Sequence, residues 1–126
     1  MAKKRTECTP DEALRYLQDY FATVDLIGEA LGKYDVLTTD AQTASSRSLF
    51  RAKSLESQRD LELLKNKRRA FLNDESGIKP PSEAMVQEAE SRASELAAIV
   101  ASEAKASAII DLATKGLSAF NKLHAA

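Results

Sequence analysis

The chain of 126 residues contains one cysteine, one histidine, no tryptophan, four glycines, three prolines and seven aromatic residues. A lone Cys8 cannot close an internal disulfide, which fits a reducing compartment. With His124 near one end and Cys8 near the other, no paired ligand spacing of the HExxH or CxxC kind exists. Glu88 and Glu95 lie two helical turns apart, but a pair of helix-face carboxylates with no inferable apolar pocket is more often solvated than reactive. No glycine-rich loop is present to cradle a phosphate. The residues therefore supply no catalytic constellation, metal site or cofactor site, and a non-enzymatic role is expected. Long apolar runs are missing as well. The most apolar stretch, Leu96 to Leu117, is interrupted by Glu103, Lys105 and Asp111, which makes it a poor membrane span. MAKKRTECTPDE at the N-terminus lacks the apolar core of a secretory signal. These features predict a soluble, intracellular protein that does not engage a membrane.

Scarce glycine, proline and aromatics also argue against a β fold, and the abundant Ala, Leu, Glu, Lys, Arg and Gln lose little entropy in a helix. The expected class is all-α, in a single domain. Thr9-Pro10-Asp11-Glu12 reads as a helix start, with Thr9 as N-cap, Pro10 at the first position and Glu12 closing a capping box. Leu17, Tyr20, Val24, Ile27, Leu31 and Tyr34 then recur at spacings of three and four, an apolar seam that needs a partner helix. Gly28 and Gly32 on this helix suggest close approach of another backbone or simply a looser helix. Between residues 33 and 40 the sequence turns polar, and Thr38, Thr39 and Asp40 suggest caps. The acidic first helical segment is accordingly placed at about 9–36, with a break or bend to follow, although one continuous helix is the alternative.

A helical hairpin is expected over about 40–124. Its first arm runs to about Asn73, its loop spans 73–82, and its second arm runs from Ser82 as N-cap to about His124. Asn73 and Gly77 suit a helix C-terminus, and Pro80-Pro81 disfavour helical geometry before them. Along the second arm Val86, Ala89, Ala93, Leu96 and Val100 give way to a shifted register of Ile109, Ala113, Phe120 and Leu123, which resembles a coiled-coil stutter. Alanine-rich faces bury little area per residue, so coiled-coil-like packing within a homo-oligomer is the expected outcome.

Charge is distributed unevenly. Residues 1–46 carry a net −3, residues 47–71 a net +5 and residues 72–126 a net −3, within a total of −1. At about 100° per residue, Arg47, Arg51, Lys65 and Arg69 project within roughly 40° of one another, and at about 1.5 Å per residue they extend over ~33 Å. Lys67 and Arg68 add to the cluster at its C-terminal end. Three uses compete for this stripe: phosphate contact, salt bridges between subunits, and solvation aided by the helix dipole and by Glu62. The dipole accounts only for the last turn, and Arg47 and Arg51 are far from it. Phe71 is read as core rather than as a base-stacking platform.

The succession KNKRRAFL, NDESGIKPPSE and EAMVQEAESRASELAAIVASEAKASAIIDLATKGLSAFNKL, over roughly residues 45–124, resembles bacteriophage recombination-mediator proteins of the UvsY type. The resemblance implies helical subunits in a homo-oligomeric ring, in the host-cell cytoplasm, that bind single-stranded DNA. It also implies that they help load a recombinase onto strands covered by single-strand-binding protein. Under it, Arg47, Arg51, Lys65, Lys67, Arg68 and Arg69 carry strand contact, while the acidic first 46 residues match nothing in the family pattern. A structural or adaptor coiled coil, such as a phage assembly component or scaffold without nucleic-acid binding, is the rival reading.

Overall fold

The computed structural model describes residues 2–124. Four helices make up the fold: α1 (Pro10–Asp40), α2 (Ala44–Leu72), α3 (Glu83–Ala98) and α4 (Ala106–Lys122). Each start has a chemical cause. Thr9 Oγ1 accepts from the Glu12 amide while the Glu12 carboxylate accepts from the Thr9 amide, the reciprocal box anticipated above, with Pro10 at the first turn. Ser82 Oγ accepts from the Met85 amide at the head of α3, so α2, the 73–82 loop and the start of α3 lie where the sequence placed them.

The break expected at 33–40 is not there. Thr38 and Thr39 turn their hydroxyls back onto the carbonyls of Tyr34 and Asp35 and remain within the helix, because Tyr34 and Leu37 are core residues and hold this turn in register. The acidic first segment thus extends past 36 to Asp40. The chain turns only at residues 41–43, and the cap is Thr43, which accepts from the Ser46 amide.

The second correction concerns the long arm expected from Ser82 to His124. It is two helices, separated at residues 99–105 by extended backbone and a short 3-10 turn over Glu103–Lys105. The change of register near Val100 is therefore a reversal of direction rather than a stutter. Arg15 donates to the Pro81 carbonyl and Lys33 to that of Ala97, so α3 runs parallel to α1. Further along, Ile110 shares a groove with Tyr34, Gly116 meets Leu26, and Phe120 stacks near Tyr20, so α4 runs antiparallel to α1.

Helix α1 is the central element and packs against all three others. α2 returns along it: Ser54 donates to Asp35 and the Arg68 guanidinium lies over the Tyr20 ring. The antiparallel partner of α2 is thus α1, and the loop-joined α2 and α3 are not the packed pair that a 40–124 hairpin implied. Because three helices cover α1, its buried face is broad. Tyr16, Tyr20, Thr23, Ile27, Ala30, Tyr34 and Leu37 form the seam, while Leu17, Val24 and Leu31 sit half-buried on its flank. Tyr16, Phe71 and Phe120 meet with ring centroids 4.5 and 5.6 Å from Tyr16, a spacing at which aromatic pairs attract beyond their burial.

The 73–82 loop is clamped rather than free. Lys3 and Ile78 exchange two backbone hydrogen bonds, of 2.7 and 2.8 Å, and the Lys79 amide donates to the Leu123 carbonyl. Left-handed backbone occurs at Asp74 (φ 63°), not at Gly77. Asp74 is held by the amide and hydroxyl of Thr6, which both donate to its carboxylate. Gly77 serves a different purpose: a Cβ there would meet Ala2 and the Lys3 backbone at 3.2–3.4 Å.

Candidate nucleic-acid interface

All six sequence-selected cations lie on α2, which is one uninterrupted helix, but they divide into two groups. Arg47, Arg51, Lys65 and Arg69 are exposed and share one face. Their tethers are slight: Arg47 Nη2 is 3.5 Å from the Ala41 carbonyl, and Lys65 Nζ is 3.6 Å from Glu62 on an exposed helix surface. An exposed pair of this kind contributes ~0.2–1 kcal/mol, so Lys65 is readily exchanged to another anion.

Lys67 and Arg68 do not belong to that face. Lys67 lies on the opposite side of the helix and Arg68 about 80° around it. Lys67 Nζ donates to Asn121 Oδ1 at 2.7 Å, bridging α2 to α4, and burial pushes its ammonium pKa down. The Arg68 guanidinium stands 5.1 Å from the Tyr20 ring centroid, and its Nε is buried without a hydrogen-bond partner among the described residues. Both are packing residues. The same angular arithmetic that grouped the other four already separates these two, so this division was available in the sequence.

The fold also brings in cations that sequence reasoning passed over. Arg5 Nε donates to the Leu72 carbonyl at 2.9 Å, capping the last turn of α2 one helical turn beyond Arg69. Lys4 is exposed beside it. Nothing local to the N-terminal KKR indicates that the Lys3–Ile78 bridge carries it to the end of α2. Arg5 and Lys4 stand near the C-terminal end of α2, where both act on the Asp74 carboxylate.

No exposed aromatic side chain accompanies the ridge on α2. Phe50 and Phe71, the aromatics of α2, are 4% and 0% exposed, and Phe71 is core as anticipated. Such a face offers positive charge and no stacking platform of its own.

The remaining candidates are accounted for by packing. His124 Nε2 accepts from the Tyr16 hydroxyl at 2.7 Å while Nδ1–H donates to the Phe120 carbonyl at 3.1 Å, so the ring is neutral and its pKa falls to about 4 by burial. Burial and then Glu12 push the Cys8 thiol pKa up, the direction opposite to that of an activated thiolate. Glu88 and Glu95 are exposed on α3. Among the described residues no group of three or more His, Cys, Asp or Glu side chains is placed to hold a metal ion, and no helix is long and apolar enough to cross a membrane.

Comparison with family models, with curated proteins and with solved structures returns no match for this chain.

Proposed function

We propose that the protein is a non-enzymatic single-stranded-DNA-binding protein that uses the exposed ridge of α2 to hold the phosphate backbone. The observation that carries this reading is the alignment of Arg47, Arg51, Lys65 and Arg69 on one solvent-facing side of a continuous helix over ~33 Å. Four cations at that spacing neutralise phosphates along a flexible strand, and the absence of exposed aromatics on α2 suits binding without base preference. The sequence resemblance extends the reading to a homo-oligomeric recombination mediator that helps load a recombinase onto strands coated with single-strand-binding protein.

Fluorescence anisotropy with labelled single- and double-stranded oligonucleotides over a salt series tests the strand-binding step. Four contacts give a log–log salt slope near −3 on single strands, at ~0.7 per contact. Replacing Arg47, Arg51, Lys65 and Arg69 by Glu removes binding while far-UV circular dichroism stays helical; unchanged affinity in the folded variant rejects the ridge. Filament assembly by a recombinase on strands covered by single-strand-binding protein, with and without the chain, tests the mediator step separately.

One observation favours the adaptor reading. Leu14, Phe21 and Val36 are exposed on the same side of α1 as Gly28 and Gly32, an apolar strip suited to another helix. Under that reading, Phe21→Ser abolishes self-association in sedimentation velocity and the ridge variant leaves partner binding unaffected.

A further inference from the structure

The aromatic surface that α2 lacks is supplied by α1. Phe21 is 53% exposed, although Tyr16 and Tyr20 of the same helix are buried. The contacts between α1 and α2 fix the side on which it stands. Ile27 and Tyr34 of α1 border an open groove between α2 and α4, together with Lys53, Ser57 and Asp60 of α2. About 100° further round α1, the Asp35 carboxylate accepts from the Ser54 hydroxyl of α2. Phe21 projects about 40° beyond Asp35 in the same sense. On α2, Arg47 and Lys65 project about 20° beyond Ser54, and Arg51 and Arg69 about 60°. Because the two helices are antiparallel, both rotations lead to the same flank, the one opposite α4. Position along the axis follows from two rungs, Asp35 opposite Ser54 and Tyr20 opposite the Arg68 guanidinium. These set Phe21 level with the turn of α2 that runs from Lys65 to Arg69. The ring is also steadied: it meets the Tyr20 ring in a T-shaped contact with centroids 5.2 Å apart, and Tyr20 is covered in turn by Arg68.

We propose that Phe21 is the stacking platform of the strand interface: a single strand held by its phosphates along Arg47, Arg51, Lys65 and Arg69 lays a base on the exposed Phe21 ring. The inference rests on the strand-binding reading and adds to it the group that separates single strands from duplex. Bases in a duplex are already stacked on both faces, whereas a single strand can turn a base onto an aromatic side chain. Stacking is tolerant of sequence because every base has a π-face, so the platform adds affinity without a base preference. Charge selects this occupant over a second copy of the chain. A helix docked on Phe21 would have to bring carboxylates of its own to the four exposed cations beside it, while a nucleotide carries the anion and the flat ring in one unit.

The chain has no tryptophan, so Phe21→Trp places a single fluorophore at the contact. Titration of this variant with an oligodeoxythymidylate is expected to quench its emission saturably, over the same concentrations at which anisotropy reports binding. An abasic strand of equal length, with the same phosphates and no bases, is expected to leave the emission unchanged. Val100→Trp, at an 80% exposed position between α3 and α4, is the control and stays unquenched. In the wild-type chain the abasic strand binds roughly 10-fold more weakly than oligodeoxythymidylate. Phe21→Leu, which keeps an apolar side chain and loses the ring, abolishes that difference without changing the salt slope, and Phe21→Tyr retains it. Equal affinity of the wild-type chain for the two strands, or unchanged Phe21→Trp emission at saturation, overturns the stacking assignment and leaves the ridge standing. Failure of every strand to bind overturns both readings. Phe21→Trp emission that follows protein concentration without DNA assigns the ring to a contact between copies and overturns the proposal.

Discussion

Asp19 is a carboxylate buried on the inner side of α1, 4% exposed, with the Thr23 hydroxyl at 3.4 Å as its side-chain contact. Arg92 of α3 lowers its pKa only in part, and the Arg92 Nε is itself buried without a partner among the described residues. Burial dominates and moves the pKa from 3.8 to about 6. The folded protein therefore keeps the Asp19 proton up to about pH 6, whereas the unfolded chain releases it near 3.8. Stability falls as pH rises through that window, and above it the folded state carries a constant penalty. At ~1.4 kcal/mol per pH unit of displacement, the penalty is ~3 kcal/mol. Asp19→Asn keeps the shape and removes the charge; its buried amide offsets ~1 kcal/mol of the gain. The variant should thus be more stable than wild type by ~1–3 kcal/mol at pH 7.5 and should lose that advantage by about pH 4. Urea unfolding followed by circular dichroism from pH 4 to 8 measures the difference, in which all other titrating groups cancel. A wild-type-to-variant gap that does not change with pH, or a variant less stable at pH 7.5, refutes the argument that burial sets the Asp19 proton affinity.

His124 runs in the opposite sense. Its pKa is depressed from 6.5 to about 4, so its contribution is present above 6.5 and drains as pH falls towards 4, and Asp19→Asn should expose this acid-side loss in the same urea series. A methyl group at Gly116 would overlap Leu26 Cδ2 in the core, whereas Gly28 faces open space. Gly116→Ala should lower the unfolding midpoint by the equivalent of ~1–3 kcal/mol, and Gly28→Ala should raise it by ~0.5–1 kcal/mol. Thr9→Ala should cost ~1 kcal/mol by opening the α1 capping box, while Thr39→Ala, inside the last turns of the same helix, should change stability by less than ~0.5 kcal/mol. On single strands, Arg51→Ala should weaken anisotropy-detected binding and reduce the salt slope by ~0.7, and Lys67→Ala should do neither.

Local chemistry made much of this architecture legible. The Thr9 and Ser82 caps, the 73–82 loop and the cores of α2 and α3 rest on interactions spanning three or four residues, which are written into adjacent sequence. The alternation of Ile109, Ala113, Phe120 and Leu123 likewise marked the buried face of α4, and the wheel positions of Arg47, Arg51, Lys65 and Arg69 marked an exposed basic face. What escaped were features lacking a local sign. Residues 99–105 contain neither glycine nor proline, so nothing nearby announced a reversal; the chain turns there because only an antiparallel α4 returns Ile109 and Phe120 to α1. Conversely, Thr38, Thr39 and Asp40 looked like an end, but the burial of Tyr34 and Leu37 outweighed their preference for one.

The glycines make the same point. Gly28 and Gly32 have the spacing associated with close helix contact, yet a Cβ at either would meet nothing within 4 Å, while Gly116, which has no motif around it, sits where α4 presses on Leu26. Close approach is a property of two surfaces, and one strand of sequence describes only one of them. The amino-acid order by itself determined that the chain is helical, where most helices begin, and that positive charge gathers on one side of α2, because propensity, capping and periodicity act within a few residues. The tertiary structure alone decided that α1 is the hub, that Lys67 meets Asn121 and Arg68 meets Tyr20, that Arg5 reaches the end of α2, and that Tyr34, Ser57 and Asp60 line one groove. Those outcomes depend on contacts between residues far apart in the chain, whose geometry is set by packing and not by neighbours in sequence.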